Sequence, residues 1–224
     1  MWEEITILFF ANFQLVLGWF LGLLSAVIID WLRNFKEKRE VKRGILAEVK
    51  DLQYRLVGLC FLTTLNSNII TQEWAKWIRP LHTKLMSSGE FEYVANTSEM
   101  VEKLSKLSDE EYFIYLTGFQ PIYQTNNKGI TQNIVKFNMP YTESKYGSIS
   151  KLGEKFQSSI SKLKRDIDVL NNDADQIWFY QTKTFDKLSD MNHEVVVKNI
   201  EEISNRISRN TVPLIKLTQN ILKL

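Results

Sequence analysis

The sequence predicts an all-α protein, in which a single N-terminal transmembrane helix continues into a cytosolic antiparallel helical bundle with a long irregular or hairpin-like insertion. Residues 5–29 carry no charge, and apolar residues recur at steps of three and four over most of the remaining chain. The 9 Gly and 4 Pro among 224 residues are too few for a fold built from loops. We therefore expect a transmembrane anchor at 1–32, a basic juxtamembrane collar at 33–43 and a helical domain at 44–224.

The uncharged segment from Ile5 to Ile29 contains 25 residues, and a helix needs about 20 to cross a hydrocarbon core of about 30 Å. A cleavable signal peptide would instead have a basic start, a shorter apolar centre and a small-residue cleavage site. Here Glu3 and Glu4 precede the segment and Asp30 follows it. A buried helix of a soluble domain is the remaining alternative, although such a long apolar run is unusual there. We expect one membrane span at about 5–29.

Basic residues mark the carboxyl side of this span. Six Lys or Arg and two Glu lie between residues 33 and 43, whereas no Lys or Arg precedes the span. The positive-inside rule therefore predicts an outside amino terminus and a cytoplasmic C-terminal domain, in the inner membrane if the source is bacterial. The same basic residues are expected to contact anionic lipid headgroups of the bilayer: Arg33, Lys36, Lys38, Arg39, Lys42 and Arg43.

The span also carries a stripe of small and polar residues. Gly18 and Gly22 form a G-x-x-x-G pair, which lets two transmembrane helices approach closely. Stepping by three or four residues along the same face adds Gln14, Ser25 and Ala26. This pattern predicts a homo-oligomer in which the stripe is the interface. The alternative is that small and polar residues are tolerated at random in a long anchor, since the motif alone is a weak signal.

The transmembrane helix is expected to continue to near Leu65, because no proline and no cluster of turn residues interrupts it earlier. Its extension has an apolar seam that includes Ile45, Val49 and Leu52. The partners of this seam are either later helices of the same chain or the same helix of neighbouring protomers. For the second case, we assign these three residues to the oligomer interface, as its continuation below the membrane.

Capping signals divide the rest of the chain into further helices. Thr71 is expected to cap one helix, with Gly89 as its stop, and Ser108 with Glu111 forms a capping box before another that ends at Gly118. Residues 119–147 lack helical periodicity and predict a protruding loop or small hairpin, which is either a binding element or a bland excursion. Long helices then return, with a break at residues 171–173 and an interruption near Pro213.

No residue constellation indicates an enzyme. We predict no catalytic residues, no metal site and no cofactor, because His82 and His193 lack metal-ligand spacing and Cys60 lies in an apolar run. Helical ribonucleases of the HEPN type use an arginine followed four to six residues later by histidine. Arg79 precedes His82 by only three positions, so that resemblance fails. A net charge of +2 and a pI near 8.5 are too mild to indicate binding of nucleic acid, and we expect none.

The layout resembles that of small bacterial membrane effectors that accompany antiviral defence systems and assemble into pores. The likeness covers the whole chain but rests on no specific residue. It implies a non-enzymatic, homo-oligomeric membrane protein, pore-forming or membrane-perturbing, that its cytosolic domain opens or closes. The alternative is a membrane-tethered adaptor that recruits a cytosolic protein partner, and a membrane-bound helical nuclease is a weaker third hypothesis.

Overall fold

The computed structural model describes residues 2–66, 70–87, 97–126, 136–184 and 190–224, and these contain helices but no strand. The long helices are α1 (Trp2–Asn66), α2 (Gln72–Ser87), α3 (Thr97–Lys106), α4 (Asp109–Asn126), α7 (Glu154–Lys183) and α8 (Asp190–Ile221). Two short helices, α5 (Pro140–Ser144) and α6 (Tyr146–Ile149), and a 3₁₀ turn at Ser150–Leu152 lie between α4 and α7. The prediction of an all-helical chain is confirmed for this part of the protein.

Helix α1 is one uninterrupted element of 65 residues, about 97 Å long at 1.5 Å per residue. It ends at Asn66, close to the expected end near Leu65. Its amino-terminal half is bare: the described side chains from Phe13 to Lys36 are all exposed. Its carboxyl-terminal half enters the core at Val41, where apolar residues at helical spacing become buried. The same helix is thus an exposed rod at one end and a core element at the other.

Helix α8 runs antiparallel to α1. Gln53 on α1 donates to the Thr218 hydroxyl over 3.1 Å, and the Thr64 and Ser208 hydroxyls are hydrogen bonded at 3.1 Å. These buried polar pairs fix the register of the two helices, since a slip would leave each group unsatisfied. Helix α7 packs along α8 through a buried apolar stripe that contains Phe156, Ile160, Leu163, Ile167 and Leu170. This is the stripe that the sequence predicts.

Helices α2 and α4 pack around the carboxyl-terminal end of α1. The His82 ring on α2 stacks on Phe61 of α1, with ring centroids 4.1 Å apart, and its Nδ1 lies 3.0 Å from the hydroxyl of Tyr112 on α4. Gln120 on α4 donates to the Leu65 carbonyl over 3.3 Å. All three rings of this cluster are buried. It joins helices α1, α2 and α4.

Two of the predicted caps are confirmed. The Thr71 hydroxyl accepts from the Trp74 amide over 3.1 Å at the start of α2. At α4 the capping box is complete: the Ser108 amide donates to Glu111 over 2.7 Å and the Glu111 amide donates to the Ser108 hydroxyl over 3.2 Å. The hydrogen bonds from the Ser108 amide and hydroxyl lower the pKa of the Glu111 carboxyl. The predicted stop at Gly89 lies outside the described residues.

Three predicted helix breaks are wrong. Helix α4 continues through Gly118 to Asn126, and α8 continues through Pro213 to Ile221. Helix α7 continues through Asn171 and Asp173, which make tertiary contacts and do not end the helix. The side-chain oxygen of Asn171 accepts a hydrogen bond from the backbone N–H of Phe137 over 2.8 Å, and its side-chain nitrogen donates to the backbone carbonyl of Phe137 over 2.9 Å. Asp173 is buried and accepts from Arg206 over 2.7 Å.

The irregular, protruding insertion predicted at 119–147 is wrong for most of its described residues, although residues 136–139 are irregular. Its first part, up to Asn126, belongs to α4, and residues 140–144 and 146–149 form α5 and α6. Phe137, Met139 and Thr142 are buried, at 7%, 3% and 0% exposure. This segment therefore packs onto the domain through contacts that the sequence pattern does not reveal. Residues 127–135 lie outside the described part of the chain.

Candidate functional site

The exposed half of α1 is the most distinctive surface of the protein. In the described part of the chain, one helix is long and apolar enough to cross a membrane, and none of its apolar window is buried. Such a window in the core helix of a soluble domain would be mostly covered by other elements. Large side chains on it are open instead, including Phe20 at 57% and Val27 at 67% exposure. An exposed apolar surface of this extent requires a covering phase or partner.

The exposed rod has two unlike faces. Gly18 and Gly22 lie on one, and a Cβ atom placed on either would meet nothing within 4 Å. Ser25 and Ala26 share this face, which we call the small-residue face. Its Ser25 hydroxyl donates to the Leu21 carbonyl over 2.7 Å, so that the hydroxyl is satisfied within its own helix. The side chain of Gln14 lies outside the described part of the structure.

Bulky side chains cover the opposite side of the rod. At 100° per residue, Phe20 is about 200° from Gly18 around the helix, and Val27 is about 180° from it. The side chains on this face are all exposed: Phe13, Phe20, Leu24, Val27 and Trp31. Between residues 18 and 26 the rod therefore presents small residues on one side and bulky residues on the other, which is the asymmetry expected where one side meets a helix and the other meets lipid. Ile29, a bulky exposed residue about 20° from Gly18 around the helix, ends the small-residue face.

Ile45, Val49 and Leu52 do not continue the small-residue face, and their assignment to an oligomer interface is corrected. They are 27 residues beyond Gly18, Gly22 and Ser25 respectively, which is about seven and a half turns of helix. They therefore point to the opposite side of α1. All three are completely buried in the core of their own chain. Their partners are later helices of the same chain.

The basic collar forms the boundary between the rod and the domain. Arg33, Lys36, Lys38, Arg39 and Arg43 are exposed, and Lys36 lies 4.0 Å from Glu40 in an exposed ion pair. Such a pair contributes little to stability, at most about 1 kcal/mol. These five residues are open to solvent, as contact with lipid headgroups requires.

Lys42 differs from the rest of the collar because it is part of the fold. Its ammonium group donates to the carbonyl of Leu224 over 3.0 Å and lies 5.7 Å from the ring centre of Phe156. Its side chain is half-buried. Lys42 is therefore not expected to face lipid, because its ammonium group contacts Phe156 on α7 and Leu224, which follows α8.

Helix α5 is fastened to α1 directly below the collar. Glu48 accepts hydrogen bonds at the amino terminus of α5 from the Tyr141 and Thr142 amides, each over 2.8 Å, and from the Thr142 hydroxyl over 2.5 Å. A carboxylate at this position satisfies free amides and complements the helix dipole. The Tyr141 ring lies against Gly44, where any Cβ would overlap its carbon atoms. No sequence signal predicts this clamp, because 93 positions separate Glu48 from Tyr141.

Cys60 and His82, two side chains that could take part in chemistry, are both buried in the domain. Cys60 is buried, and this burial raises the pKa of its thiol. Burial lowers the pKa of His82 to about 4. Within the described residues, no group of three or more His, Cys, Asp or Glu side chains could hold a metal ion. Cys60 is therefore not an exposed nucleophile, and neither Cys60 nor His82 belongs to a metal-ligand set.

Three of the four aspartates between residues 166 and 175 lie near basic side chains. Asp175 lies 2.8 Å from Lys136, Asp173 is bound by Arg206, and Asp166 lies 3.7 Å from Arg165. An open groove of about 640 Å³ lies between α2 and α4, but its Arg79 guanidinium is held by Asp109 at 2.6 Å. These contacts engage three of the aspartates and Arg79. The junction between the exposed apolar rod of α1 and the folded domain is therefore the candidate functional site.

No family model, no curated protein and no solved structure matches this chain. The function proposed below therefore rests on the geometry of the chain itself.

Proposed function

We propose that the protein is a single-pass, homo-oligomeric membrane protein without enzymatic activity, whose α1 rods meet through the small-residue face and perturb the bilayer as a pore. The observation that supports it most is the geometry of α1. The apolar rod is bare, and the same unbroken helix enters the folded domain about 12 residues after the last residue of the apolar run, Ile29. Any movement of the domain is thus transmitted to the rod.

The position of the domain is compatible with this assembly. On the continuous α1, the buried cytosolic face is about 180° from the small-residue face, because Ile45 and Gly18 are 27 residues apart. The first turns of the domain therefore lie on the side of α1 away from the proposed helix contact. Neighbouring rods can approach through Gly18 and Gly22 without a collision between these parts of their domains. This agreement between two independently placed faces favours a helix partner over a lone anchor.

The experiment that tests the proposal is the mass of the full chain in detergent, by light scattering at several protein concentrations. Wild type is expected to form a discrete oligomer, and Gly18→Leu with Gly22→Leu to be monomeric, since the bulky side chains hold the backbones apart. A matched control changes the opposite face, with Phe20→Leu and Val27→Leu, and retains the oligomer. A wild-type monomer at every concentration contradicts the proposal. Dye leakage from vesicles should follow the same order among the three proteins if the oligomer is a pore.

A second candidate is a membrane-tethered adaptor, which one feature of the domain favours. The paired ends of α7 and α8 farthest from the membrane junction expose large apolar side chains, among them Trp178 at 61% and Met191 at 75%. Under this alternative, binding of a cytosolic protein survives Gly18→Leu with Gly22→Leu and is lost with Trp178→Ser. Loss of function with the glycine variants alone, at unchanged partner binding, favours the oligomeric membrane protein.

A further inference from the structure

We propose that the membrane-facing end of the helical domain is itself a docking surface for anionic phospholipid headgroups. Lysines from three separate segments form this surface beside the basic collar: Lys145, Lys155 and Lys223. The inference rests on the proposed membrane anchoring of α1. It extends that proposal, because it gives the folded domain a second contact with lipid and so fixes the orientation of the domain against the bilayer.

Contacts with α1 place the three segments at the level of the collar. Lys151, in the 3₁₀ turn, lies 3.7 Å from Glu37, and the ammonium group of Lys42 contacts both Phe156 and Leu224. Lys155 and Lys223 are the immediate chain neighbours of those last two residues. Lys145 separates α5 from α6, both of which contact α1. The folding of the chain thus brings distant lysines to one end of the domain.

This end of the domain lies within electrostatic reach of a membrane surface. With Ile29 at the hydrocarbon boundary, Glu37 is about 12 Å and Lys42 about 20 Å further along the α1 axis. The headgroup layer occupies about 5 to 8 Å of that distance. The remaining gap of about 4 to 15 Å is comparable to the Debye length of about 8 Å at physiological ionic strength. A helix tilt of about 20°, which is the average for membrane spans, brings one flank of the surface closer.

The surface has the charge that anionic lipid attracts. The segments 30–43, 140–155 and 222–224 contain ten Lys or Arg and five Asp or Glu. Lys145, Lys155 and Lys223 are exposed. Among the residues that the structure describes, no carboxylate forms an ion pair with any of the three. Their charges are therefore available to headgroups, whereas the nearby Lys151 is engaged by Glu37.

The test measures how closely the domain approaches the headgroups. A donor dye on a cysteine introduced by Ser150→Cys, in the exposed 3₁₀ turn, transfers energy to rhodamine-labelled phosphatidylethanolamine in vesicles that carry the full-length protein. Transfer should be higher with about 30% phosphatidylserine than with phosphatidylcholine alone. It should fall towards the phosphatidylcholine value when salt rises from about 0.1 M to about 1 M, which shortens the Debye length from about 10 to about 3 Å.

Charge-reversal variants identify the residues responsible. Lys145→Glu, Lys155→Glu and Lys223→Glu together should reduce the ratio of docked to undocked domain at least about five-fold, since each basic residue near an anionic surface contributes about that factor. A matched control reverses three exposed lysines away from this end: Lys84→Glu, Lys103→Glu and Lys198→Glu. The control should behave as wild type. The triple variant Lys145→Gln, Lys155→Gln and Lys223→Gln, with its fold checked by circular dichroism, tests the same three lysines by removal of their charge instead of its reversal.

Two outcomes overturn the inference. One is equal energy transfer in the neutral and anionic vesicles for wild type, and the other is equal loss in the test and control variants. Failure of the membrane anchor is recognised separately, because an alkaline carbonate wash would then release the wild-type protein from the vesicles. Energy transfer in unwashed samples still reports headgroup approach in that case.

Discussion

Replacement of Gly44 by alanine tests the clamp between α1 and α5. Alanine is the better helix former by about 1 kcal/mol, so the substitution stabilises an unobstructed helix. At Gly44, however, the new Cβ would overlap ring carbons of Tyr141 and lie 2.6 Å from its hydroxyl oxygen. Ordinary carbon contacts are about 3.5 to 4 Å, so that the ring must retreat by more than about 1 Å.

The magnitude follows from these opposing effects. Overpacking of this kind costs about 1 to 3 kcal/mol, which equals or exceeds the gain in helix propensity of about 1 kcal/mol and leaves Gly44→Ala destabilising by up to about 2 kcal/mol. Gly118 is the matched control, because it is also in a helix interior but a Cβ there meets nothing within 4 Å. Gly118→Ala should stabilise the protein by up to about 1 kcal/mol. The same chemical change is thus expected to have opposite signs at two positions.

The assay is urea unfolding of the full chain in mild detergent, followed by tryptophan fluorescence, with the midpoint compared at constant slope. Tyr141→Ala should remove the penalty of Gly44→Ala, which a double-mutant cycle would detect as a coupling between the two sites. If Gly44→Ala stabilises the domain as much as Gly118→Ala does, or if the cycle shows no coupling, the described approach of α5 to α1 is wrong.

Three further predictions concern the helical domain. Glu48→Gln should cost about 2 kcal/mol, because one of the two acceptor oxygens at the start of α5 becomes a donor facing Thr142, and hydrogen exchange should rise in α5 first. Burial lowers the pKa of His82 to about 4 in the folded protein, against its ordinary value of 6.5, so that the unfolded chain binds the extra proton between these two pH values. Unfolding free energy should therefore fall by about 1.5 kcal/mol from pH 6.5 to pH 5, and His82→Gln should flatten that slope, whereas a slope unchanged in His82→Gln would contradict the burial of the ring. Cys60 should resist maleimide in the native protein and react on unfolding, and rapid labelling of the native chain would contradict its burial.

The sequence was most informative where local chemistry decides the structure. The length and apolarity of α1, its end near Asn66 and the capping box at Ser108 and Glu111 all depend on residues that are close together in the chain. The burial of Cys60 followed from its apolar neighbours. Each of these predictions is confirmed by the structure.

Predictions failed where a polar residue or proline could be satisfied by a distant partner. Asn171 resembles a helix breaker, but it binds the backbone of Phe137 and stays helical. Pro213 costs one backbone hydrogen bond in α8, and burial of the adjacent Leu214 and Ile215 offsets this loss. Local propensity loses to tertiary contact in both cases.

The region where the exposed rod of α1 enters the folded domain was predictable only in part. The basic collar and the small-residue face are visible in sequence, because both lie within a single helix. The clamp by Glu48 and the positions of Lys145, Lys155 and Lys223 depend on contacts over tens to hundreds of positions, which periodicity does not encode. The placement of Ile45 in an oligomer seam failed for a simpler reason, since 27 residues of continuous helix turn it to the opposite side of α1.

Labelling from one side of the membrane tests the membrane span of α1 most directly. Cysteines introduced by Trp2→Cys and Ser150→Cys are exposed, in intact cells and then in lysed cells, to a maleimide that does not cross membranes. The account predicts that the cysteine at position 2 reacts in intact cells and that the cysteine at position 150 reacts only after lysis. Reaction of both from the same side, or protection of position 2 in intact cells with reaction after lysis, would show that the rod does not cross the bilayer in the proposed orientation.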